Sequence, residues 1–211
     1  MKILVENASK MIKGKCVLQN INLELYGKRI YCLQGTNGSG KTMLIRLISG
    51  LIYPSEGRVL INGQQLGKDI GFPPSMGLMI ENPSFLPNHT GMKNLELLAR
   101  IQSKITSDDV QETIRSVGLE PNDKRPFRKY SLGMKQRLGI ACAIMEKPDL
   151  ILLDEPTNSL DEAGAEQICK LIQRERDRGA LIILASHDPK VLESIADEIY
   201  VIHEGTLQRK V

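Results

Sequence analysis

A glycine-rich loop between a strand-like run and a helix-like run constrains the fold of this chain more than any other stretch. Residues 29–34 are mostly apolar, and the apolar positions 44, 47, 48 and 51 fit one face of a helix. Glycine, four residues and then Gly-Lys-Thr in this context is the phosphate-binding loop, or Walker A motif. A chance glycine-rich turn is the weaker alternative, because both flanks also fit. This phosphate loop consists of Gly35, Thr36, Asn37, Gly38, Ser39, Gly40, Lys41 and Thr42, and Met43 follows it.

The residue types of the phosphate loop match the chemistry of a nucleoside triphosphate. Glycines let the backbone curl so that successive N–H groups converge on an anion, and the start of the helix adds partial positive charge. Lys41 can reach the terminal phosphates, and the hydroxyl of Thr42 can ligate Mg²⁺. The loop therefore predicts ATP or a similar nucleotide with Mg²⁺, without indicating what the hydrolysis serves.

Length and composition limit the class of protein. A chain of 211 residues can bury a core without disulfides or metal. Lys and Arg number 28 against 25 Asp and Glu, and this net charge of +3 is too balanced to indicate nucleic acid by itself. The apolar runs are too short for a signal peptide or a membrane span, so any membrane role needs a partner. We expect reduced thiols in the core at the four widely spaced cysteines, Cys16, Cys32, Cys142 and Cys169.

The order of hydrophobic periods predicts one α/β domain with a helical insert. Strand patterns dominate residues 2–34, and Ile21, Leu23 and Leu25 alternate with polar residues as in a half-buried antiparallel strand. Helical patterns follow, and from residue 149 buried strands alternate with helices up to a closing hairpin. We therefore expect a single domain over residues 1–211, with a core at about 1–81 and 148–211 and a helical subdomain at about 82–147.

Two acidic residues end the apolar run 150–153. Because side chains alternate along a strand, Asp154 and Glu155 point in different directions and can do different work. Asp154 can hold Mg²⁺, and Glu155 can polarise a water that attacks the γ-phosphate. A solvated acidic turn is the alternative, and the phosphate loop upstream weakens it.

Two further positions can contact phosphate. Ser131 is a good N-cap for the helix that follows, and Gly133 lets a ligand approach the backbone. Without other information, an ordinary capped helix explains this segment better. His187 follows the strand-like run 181–184, at the edge of a parallel sheet where ligands bind. It can bond a phosphate oxygen or a water, although a lone histidine is more often structural.

Together, these segments resemble the ATPases of the ABC family. Residues 35–42, 131–137, 150–161 and 185–188 occur in the order and spacing of that family, over essentially the whole chain. The resemblance implies an α/β P-loop NTPase of ABC type, with a mixed central sheet, an antiparallel β subdomain and a helical subdomain. It also implies a subunit that hydrolyses ATP with Mg²⁺, uses Glu155 as general base and sits peripherally on the cytoplasmic face of the cell membrane.

The same resemblance implies partners. Such subunits form head-to-tail homodimers or heterodimers that sandwich two ATP molecules, and they bind integral-membrane permease subunits. Asp161 would communicate between the two sites, and His187 would be the switch histidine. The signature segment of one subunit would act on the nucleotide of the other. In this chain that segment is Ser131, Leu132, Gly133 and Met134.

Three positions depart from the family pattern. The segment 130–134 reads Tyr-Ser-Leu-Gly-Met instead of Leu-Ser-Gly-Gly-Gln, which keeps the serine and the second glycine. Glu81 stands where the family has a glutamine; a carboxylate can still ligate Mg²⁺, but it adds negative charge. Ile12 stands near the place of an aromatic residue that stacks on adenine, so we expect apolar contact with the base instead.

The departures, with residues 82–91, resemble bacterial exporters that handle bacitracin and lantibiotic-type peptides. The leading hypothesis is therefore an energy-coupling ATPase of an exporter. A soluble ABC ATPase that acts on nucleic acid or the ribosome is the alternative, although the chain lacks the second cassette or long insert of such relatives. A small-molecule kinase would leave residues 131–133 unexplained, and a regulator without hydrolysis would leave Glu155 unexplained. The nucleic-acid alternative rests on a basic cluster, Lys124, Arg125, Arg128, Lys129, Lys135 and Arg137.

Overall fold

The computed structural model describes residues 1–81 and 83–210, so Asn82 and Val211 lie outside the described part. The predicted start of the helical subdomain and one residue of the segment 82–91 therefore fall on an undescribed position. The strands are β1 (Lys2–Ile12), β2 (Lys15–Tyr26), β3 (Arg29–Gln34), β4 (Glu56–Ile61), β5 (Gln64–Gln65), β6 (Met76–Met79), β7 (Leu150–Asp154), β8 (Leu181–Ser186), β9 (Glu198–His203) and β10 (Thr206–Arg209). The α-helices are α1 (Lys41–Ser49), α2 (Gly91–Gln102), α3 (Ser107–Ser116), α4 (Leu132–Ile144), α5 (Glu162–Arg178) and α6 (Pro189–Ile195).

Four strands form an antiparallel sheet in the order β2-β1-β4-β5. In β2, Ile21, Leu23 and Leu25 are buried while Asn22 and Glu24 between them are exposed. The alternation that predicted a half-buried antiparallel strand is therefore confirmed.

The other six strands form a mixed sheet in the order β10-β9-β3-β8-β7-β6. Strands β9, β3, β8, β7 and β6 run parallel, and β10 closes the sheet as the predicted antiparallel hairpin. The carboxyl ends of β3, β7 and β8 consequently meet at one edge, which is where ligands bind in open α/β sheets. This edge carries the phosphate loop, Asp154, Glu155 and His187.

The mixed sheet separates two apolar cores, because successive side chains of a strand point to opposite faces. In β7, Leu150 and Leu152 pack in the core with α1 and the antiparallel sheet, while Ile151 and Leu153 pack in the core with α2 to α6. Asp154 continues the first of these alternations and therefore points toward α1. The register of β7 thus decides which neighbour this carboxylate meets.

The helical segment packs directly on the sheet edge formed by β6. A Cβ at Gly77 in β6 would collide with the carbonyl oxygen of Ala143 in α4. The helix and the strand therefore pack at a distance that only glycine permits at position 77. Farther out, α3 begins at a capping box in which Thr106 accepts from Asp109 N–H and donates its own N–H to the Asp109 carboxylate. Thr106 and Ser107 both suit an N-cap by residue type, and Thr106 is the one used.

Several expectations need correction. Cys32 and Cys169 are buried and Cys142 is half-buried, but Cys16 is exposed, so the prediction of a core thiol is wrong there. Its position one residue into β2, beside a hairpin turn, removes it from the core. The Pro-Ser-Glu-Gly run at residues 54–57 predicts a turn, but strand β4 begins at Glu56, because Glu56 pairs with Ser9 of β1. Among residues 1–81 and 83–210, no helix has the length and apolarity needed to cross a membrane.

Candidate functional site

A cleft of about 1200 Å³ opens at the carboxyl edge of the mixed sheet. The phosphate loop forms its floor, and side chains from the ends of β1, β6 and β7 form parts of its walls. The structure thus brings together residues that lie far apart in the sequence. The predicted site residues that line the cleft are Ile12, Thr36, Asn37, Gly38, Ser39, Gly40, Lys41, Thr42, Met43, Glu81, Asp154 and Glu155.

The phosphate loop is held in a tight curl in front of α1. Gly40, the N-cap of α1, has a backbone φ of 119°, which residues other than glycine rarely adopt. A Cβ at Gly35 would lie 2.5 Å from the carbonyl oxygen of Ile202. Lys41 is 5% exposed, and its Nζ donates to the carbonyl oxygens of Gly35 at 2.7 Å and Thr36 at 3.2 Å. The ammonium group therefore lies against the loop backbone.

Two buried oxygens at the cleft fit a phosphate ligand. Among the described residues, Ser39 Oγ and Glu155 Oε1 are buried without a hydrogen-bond partner. Leaving a buried polar group unpaired costs about 1–3 kcal/mol, so such atoms mark a place built for another group. The Ser39 hydroxyl can donate to a phosphate oxygen, and the carboxylate of Glu155 can accept from a water. The Ser39 hydroxyl and the Lys41 ammonium are thus donors for a triphosphate, and Glu155 is an acceptor for a water beside it.

Thr42 and Asp154 meet as the alternation along β7 requires. Thr42 Oγ1 donates to Asp154 Oδ2 at 2.6 Å, across 112 positions of sequence. Asp154 is 6% exposed, and burial raises the pKa of its carboxyl, although the hydrogen bond from Thr42 acts in the opposite direction. A hydroxyl and a carboxylate are oxygen ligands of the kind that Mg²⁺ takes. These two side chains could therefore hold that cation together.

Glu155 sits between a cation and a histidine. Its Oε1 lies 3.7 Å from Lys41 Nζ, and its Oε2 lies 3.0 Å from Nδ1 of His187, whose side chain is 55% exposed. Glu155 has a φ of 51°, and its N–H donates to the carbonyl oxygen of Ala185 at 2.8 Å. A left-handed backbone costs an ordinary residue about 1–2 kcal/mol. The surrounding contacts thus hold the backbone of Glu155 in a conformation that the residue alone would not prefer, and this conformation sets the direction of its carboxylate.

Gln136 is a site residue that the sequence did not single out. It is buried, it lines the cleft, and its Nε2 donates to the carbonyl oxygen of Glu155 at 2.9 Å. This contact fixes the backbone of Glu155 from the side of α4. The only available signal was that Gln136 lies within the segment 131–137, which carried the resemblance.

Glu81 occupies the opposite wall, two residues after β6. It lines the cleft, and its Oε1 lies 2.6 Å from Nη2 of Arg46, a residue of α1 for which the sequence carries no functional signal. Glu81 has a φ of 59°, also in the left-handed region. The carboxylate is thus paired with a cation and not free.

Ile12 lies at the far end of the cleft, at the end of β1, and is 37% exposed. The turn between β9 and β10, which the sequence did not place near the phosphate loop, reaches the same end through His203, Glu204 and Gly205. Gly205 N–H donates to the carbonyl oxygen of Ser39 at 2.9 Å, and Gly205 accepts from Gln19 N–H at 2.8 Å. This turn therefore joins the phosphate loop to β2.

The signature segment does not line the cleft of its own chain. Ser131 caps α4 by accepting from Met134 N–H at 3.2 Å, and Leu132 is 56% exposed. A Cβ at Gly133 would lie 2.8 Å from the carbonyl oxygen of Ser159. Asp161, which follows Ser159 by two residues, caps α5 by accepting from Gly164 N–H at 3.0 Å. The structure thus leaves Ser131 facing solvent, away from the phosphate loop.

The basic cluster behind the nucleic-acid alternative is partly engaged within the chain. Arg125 forms an ion pair with Asp123 at 2.7 Å. Arg137 donates to the carbonyl oxygen of Val117 at 2.6 Å. Lys135 lies 5.4 Å from the ring centre of Phe127. These three side chains therefore have structural partners, and the cluster is not a uniform cationic face.

Comparison with known proteins finds relatives over nearly the whole chain. The family model described as ABC transporter matches residues 18–158. The uncharacterized ABC transporter ATP-binding protein YybJ of Bacillus subtilis is 47% identical, over 98% of this chain and 94% of that protein. The bacitracin transport ATP-binding protein BcrA of Enterococcus faecalis is 39% identical, over 99% of this chain and 68% of that protein. The lantibiotic transport ATP-binding protein SrtF of Streptococcus pyogenes is 31% identical, over 96% of this chain and 87% of that protein.

Solved structures share the fold. An ATP-binding subunit of an ABC transporter superposes with a TM-score of 0.88 at 24% identity, over 100% of this chain and 90% of that chain. A dimeric ATP-binding cassette in a post-hydrolysis state, bound to ADP and Pi, also superposes with a TM-score of 0.88. Its sequence is 23% identical, over 99% of this chain and 97% of that chain. At these identities the likeness concerns the fold.

Proposed function

This chain belongs to the ABC transporter family, and we propose that it is the subunit whose ATP hydrolysis powers a membrane exporter. Family membership, the ABC-type α/β P-loop fold and the function of a transporter ATPase, all predicted from the sequence, are confirmed. The observation that carries the proposal is geometric. Lys41, the Thr42–Asp154 pair and Glu155 meet at one phosphate loop, as ATP hydrolysis requires.

The relatives indicate the class of cargo. BcrA is described as a bacitracin transport protein and SrtF as a lantibiotic transport protein. We infer that the exporter served by this chain handles peptide antibiotics of a similar kind. None of the relatives and structures named above is described as acting on nucleic acid.

The triphosphate is bound by the phosphate loop. Loop N–H groups and the N-terminus of α1 face its oxygens, the Ser39 hydroxyl donates to one of them, and Lys41 moves from the loop carbonyls to the terminal phosphates. Thr42, Asp154 and Glu81 would hold Mg²⁺, which neutralises phosphate charge and orients the leaving group when bound. Ile12 contacts the base by apolar packing.

Glu155 is the general base of this proposal. Its carboxylate accepts a proton from the attacking water, which adds to the γ-phosphorus while the bond to the β-phosphate oxygen breaks. Gln136 holds the backbone of Glu155, and His187 holds the carboxylate through Oε2. Lys41 lies on the other side of the carboxylate, with its Nζ 3.7 Å from Oε1.

A second subunit completes the site. The exposed Ser131 and Leu132, with Gly133 and Met134, act on the nucleotide of the partner in a homodimer or a heterodimer, and Asp161 lies at that interface. Integral-membrane permease subunits bind the dimer at the cytoplasmic face of the membrane. Closure of the dimer on ATP then drives the permease, and hydrolysis reopens it.

Affinity purification from detergent-solubilised membranes tests this function. The tagged chain should co-purify with a multi-span membrane protein, and the complex should hydrolyse ATP in a Mg²⁺-dependent manner. The tagged Glu155→Gln chain serves as control for activity from contaminants. Recovery with ribosomes or nucleic acid, without a membrane protein, would instead support the soluble alternative.

A further inference from the structure

We propose that Arg46 is a positioning residue for Glu81. We further propose that the two opposite charges cancel, so that the Arg46–Glu81 pair acts on the bound nucleotide as one neutral side chain would. This inference rests on the proposed ATPase function. It concerns a residue of α1 that lies outside the phosphate loop and lines no part of the cleft itself. The contact between Arg46 Nη2 and Glu81 Oε1, at 2.6 Å, is its starting point.

Arg46 occupies a rigid place with a fixed direction. It lies four residues after Thr42 on α1, which puts both side chains on the same face of the helix. Its carbonyl oxygen accepts from Ile52 N–H at 3.2 Å and from Ser49 Oγ at 3.0 Å. The backbone of Arg46 is thus tied into the end of the helix, and its guanidinium reaches Glu81 from this fixed base.

Glu81, in contrast, lies on an irregular segment after β6. Its side chain is 66% exposed, whereas that of Arg46 is 32% exposed. The backbone of Glu81 has a φ of 59°, which carries a conformational cost for a residue other than glycine. A charge-assisted hydrogen bond of 2.6 Å offsets part of that cost and holds the carboxylate at the cleft wall. Within residues 1–81 and 83–210, the contact of this carboxylate is through Oε1, which leaves Oε2 for a ligand in the cleft that Glu81 lines.

The charges of the site explain why such a pairing is needed. Asp154 and Glu155 already place two carboxyl groups beside the phosphate loop. Glu81 lines the same cleft as these two acids and brings a third carboxylate to it. An unpaired third carboxylate would repel a triphosphate. The guanidinium of Arg46 balances that charge, so that the pair is neutral overall, and the second carboxylate oxygen could still ligate Mg²⁺.

Binding of a fluorescent ATP analogue, with EDTA and across a Mg²⁺ titration, tests this inference. We expect Arg46→Gln to weaken metal-free binding roughly threefold to tenfold, since Glu81 then repels the phosphates through partly solvated surroundings. The same variant should need less Mg²⁺ for half-maximal binding, because the freed carboxylate attracts the cation. Arg46→Lys should restore most of the metal-free affinity.

The double variant separates positioning from direct contact. Arg46→Gln combined with Glu81→Gln should return metal-free binding to the wild-type level, because no charge remains to be cancelled. Lys170→Gln, which breaks an exposed Lys–Glu pair on α5 away from the cleft, is the matched control. If Arg46→Gln does not fold, the charge swap R46E/E81R takes its place: wild-type metal-free affinity supports the inference, and its loss overturns it.

The other outcomes are also decisive. An equal loss of metal-free affinity from Arg46→Gln in the wild-type background and in the Glu81→Gln background would overturn the inference, because Arg46 would then act without Glu81. No change in Arg46→Gln would overturn it as well. In both cases the wild-type chain still binds nucleotide, and the proposed ATPase function stands. Absence of nucleotide binding by the wild-type chain would instead overturn that function and this inference with it.

Discussion

The carboxylate of Glu155 and the imidazole of His187 lie 3.0 Å apart, from Oε2 to Nδ1, just beyond the ends of two neighbouring parallel strands. Both residues follow strands whose interiors are fully buried, so the sheet holds them at a fixed separation. A histidine at this distance can hold one carboxylate oxygen while the other faces the phosphate loop. This geometry supports the assignment of Glu155 as the base.

Glu155→Gln should retain nucleotide binding but hydrolyse ATP about 10²- to 10⁴-fold more slowly, because the amide keeps the shape but cannot take a proton. With ATP and Mg²⁺ the variant should elute as a dimer in gel filtration, since hydrolysis no longer reopens the interface. Glu166→Gln on the exposed face of α5 is a matched control. Wild-type turnover in the Glu155 variant would contradict the assignment.

Lys41→Met should weaken ATP binding roughly tenfold or more, the effect of losing a charge-assisted hydrogen bond to phosphate. Methionine approximates the volume of the buried lysine stem, so thermal unfolding should change little. Equilibrium binding of a fluorescent ATP analogue measures the effect, with Lys170→Met as the control for loss of an exposed lysine. Unchanged affinity would exclude Lys41 from the phosphate contacts.

The four cysteines should differ sharply in reactivity toward iodoacetamide. Burial raises the pKa of the Cys32 thiol to about 12 and that of Cys142 to about 11, so at neutral pH neither forms the reactive thiolate to any extent. Cys16 is exposed and lines the cleft. Peptide mass spectrometry should therefore find early labelling at Cys16, slowed by ATP. Early labelling of Cys32, or no protection of Cys16 by ATP, would contradict this placement.

Ile12→Tyr should increase affinity for ATP about threefold to tenfold, because a ring at the end of β1 can stack on adenine. Met11→Tyr adds the same ring at the adjacent position, which does not line the cleft, and should have little effect. Competition binding against the fluorescent analogue measures both variants. Equal gains in the two variants would indicate a general effect of added aromatic surface and argue against base stacking at residue 12.

The sequence was sufficient for the elements with strong local signals. The apolar runs of β7 and β8, the glycines of the phosphate loop and the cap at Ser131 each carry their own physical cause. The contacts of Arg46 and Gln136 were not predictable, because their partners lie 35 and 19 residues away and depend on how α1 and α4 pack. Likewise, a hairpin was predictable at Gly205, but its bond to Ser39 was not. The predicted subdomain boundaries and site roles remain predictions.

The hydrogen bonds of Gly205 to Ser39 and Gln19 have a consequence for biosynthesis. The cleft is lined by residue 12 and by residues 203–205, so it joins segments that are synthesised far apart in time. On the ribosome, the phosphate loop emerges long before the turn that supports it. We therefore expect a nascent chain to acquire tight ATP binding only once β9 and β10 have left the ribosome, which makes nucleotide capture follow the emergence of the phosphate loop by most of the synthesis of this domain.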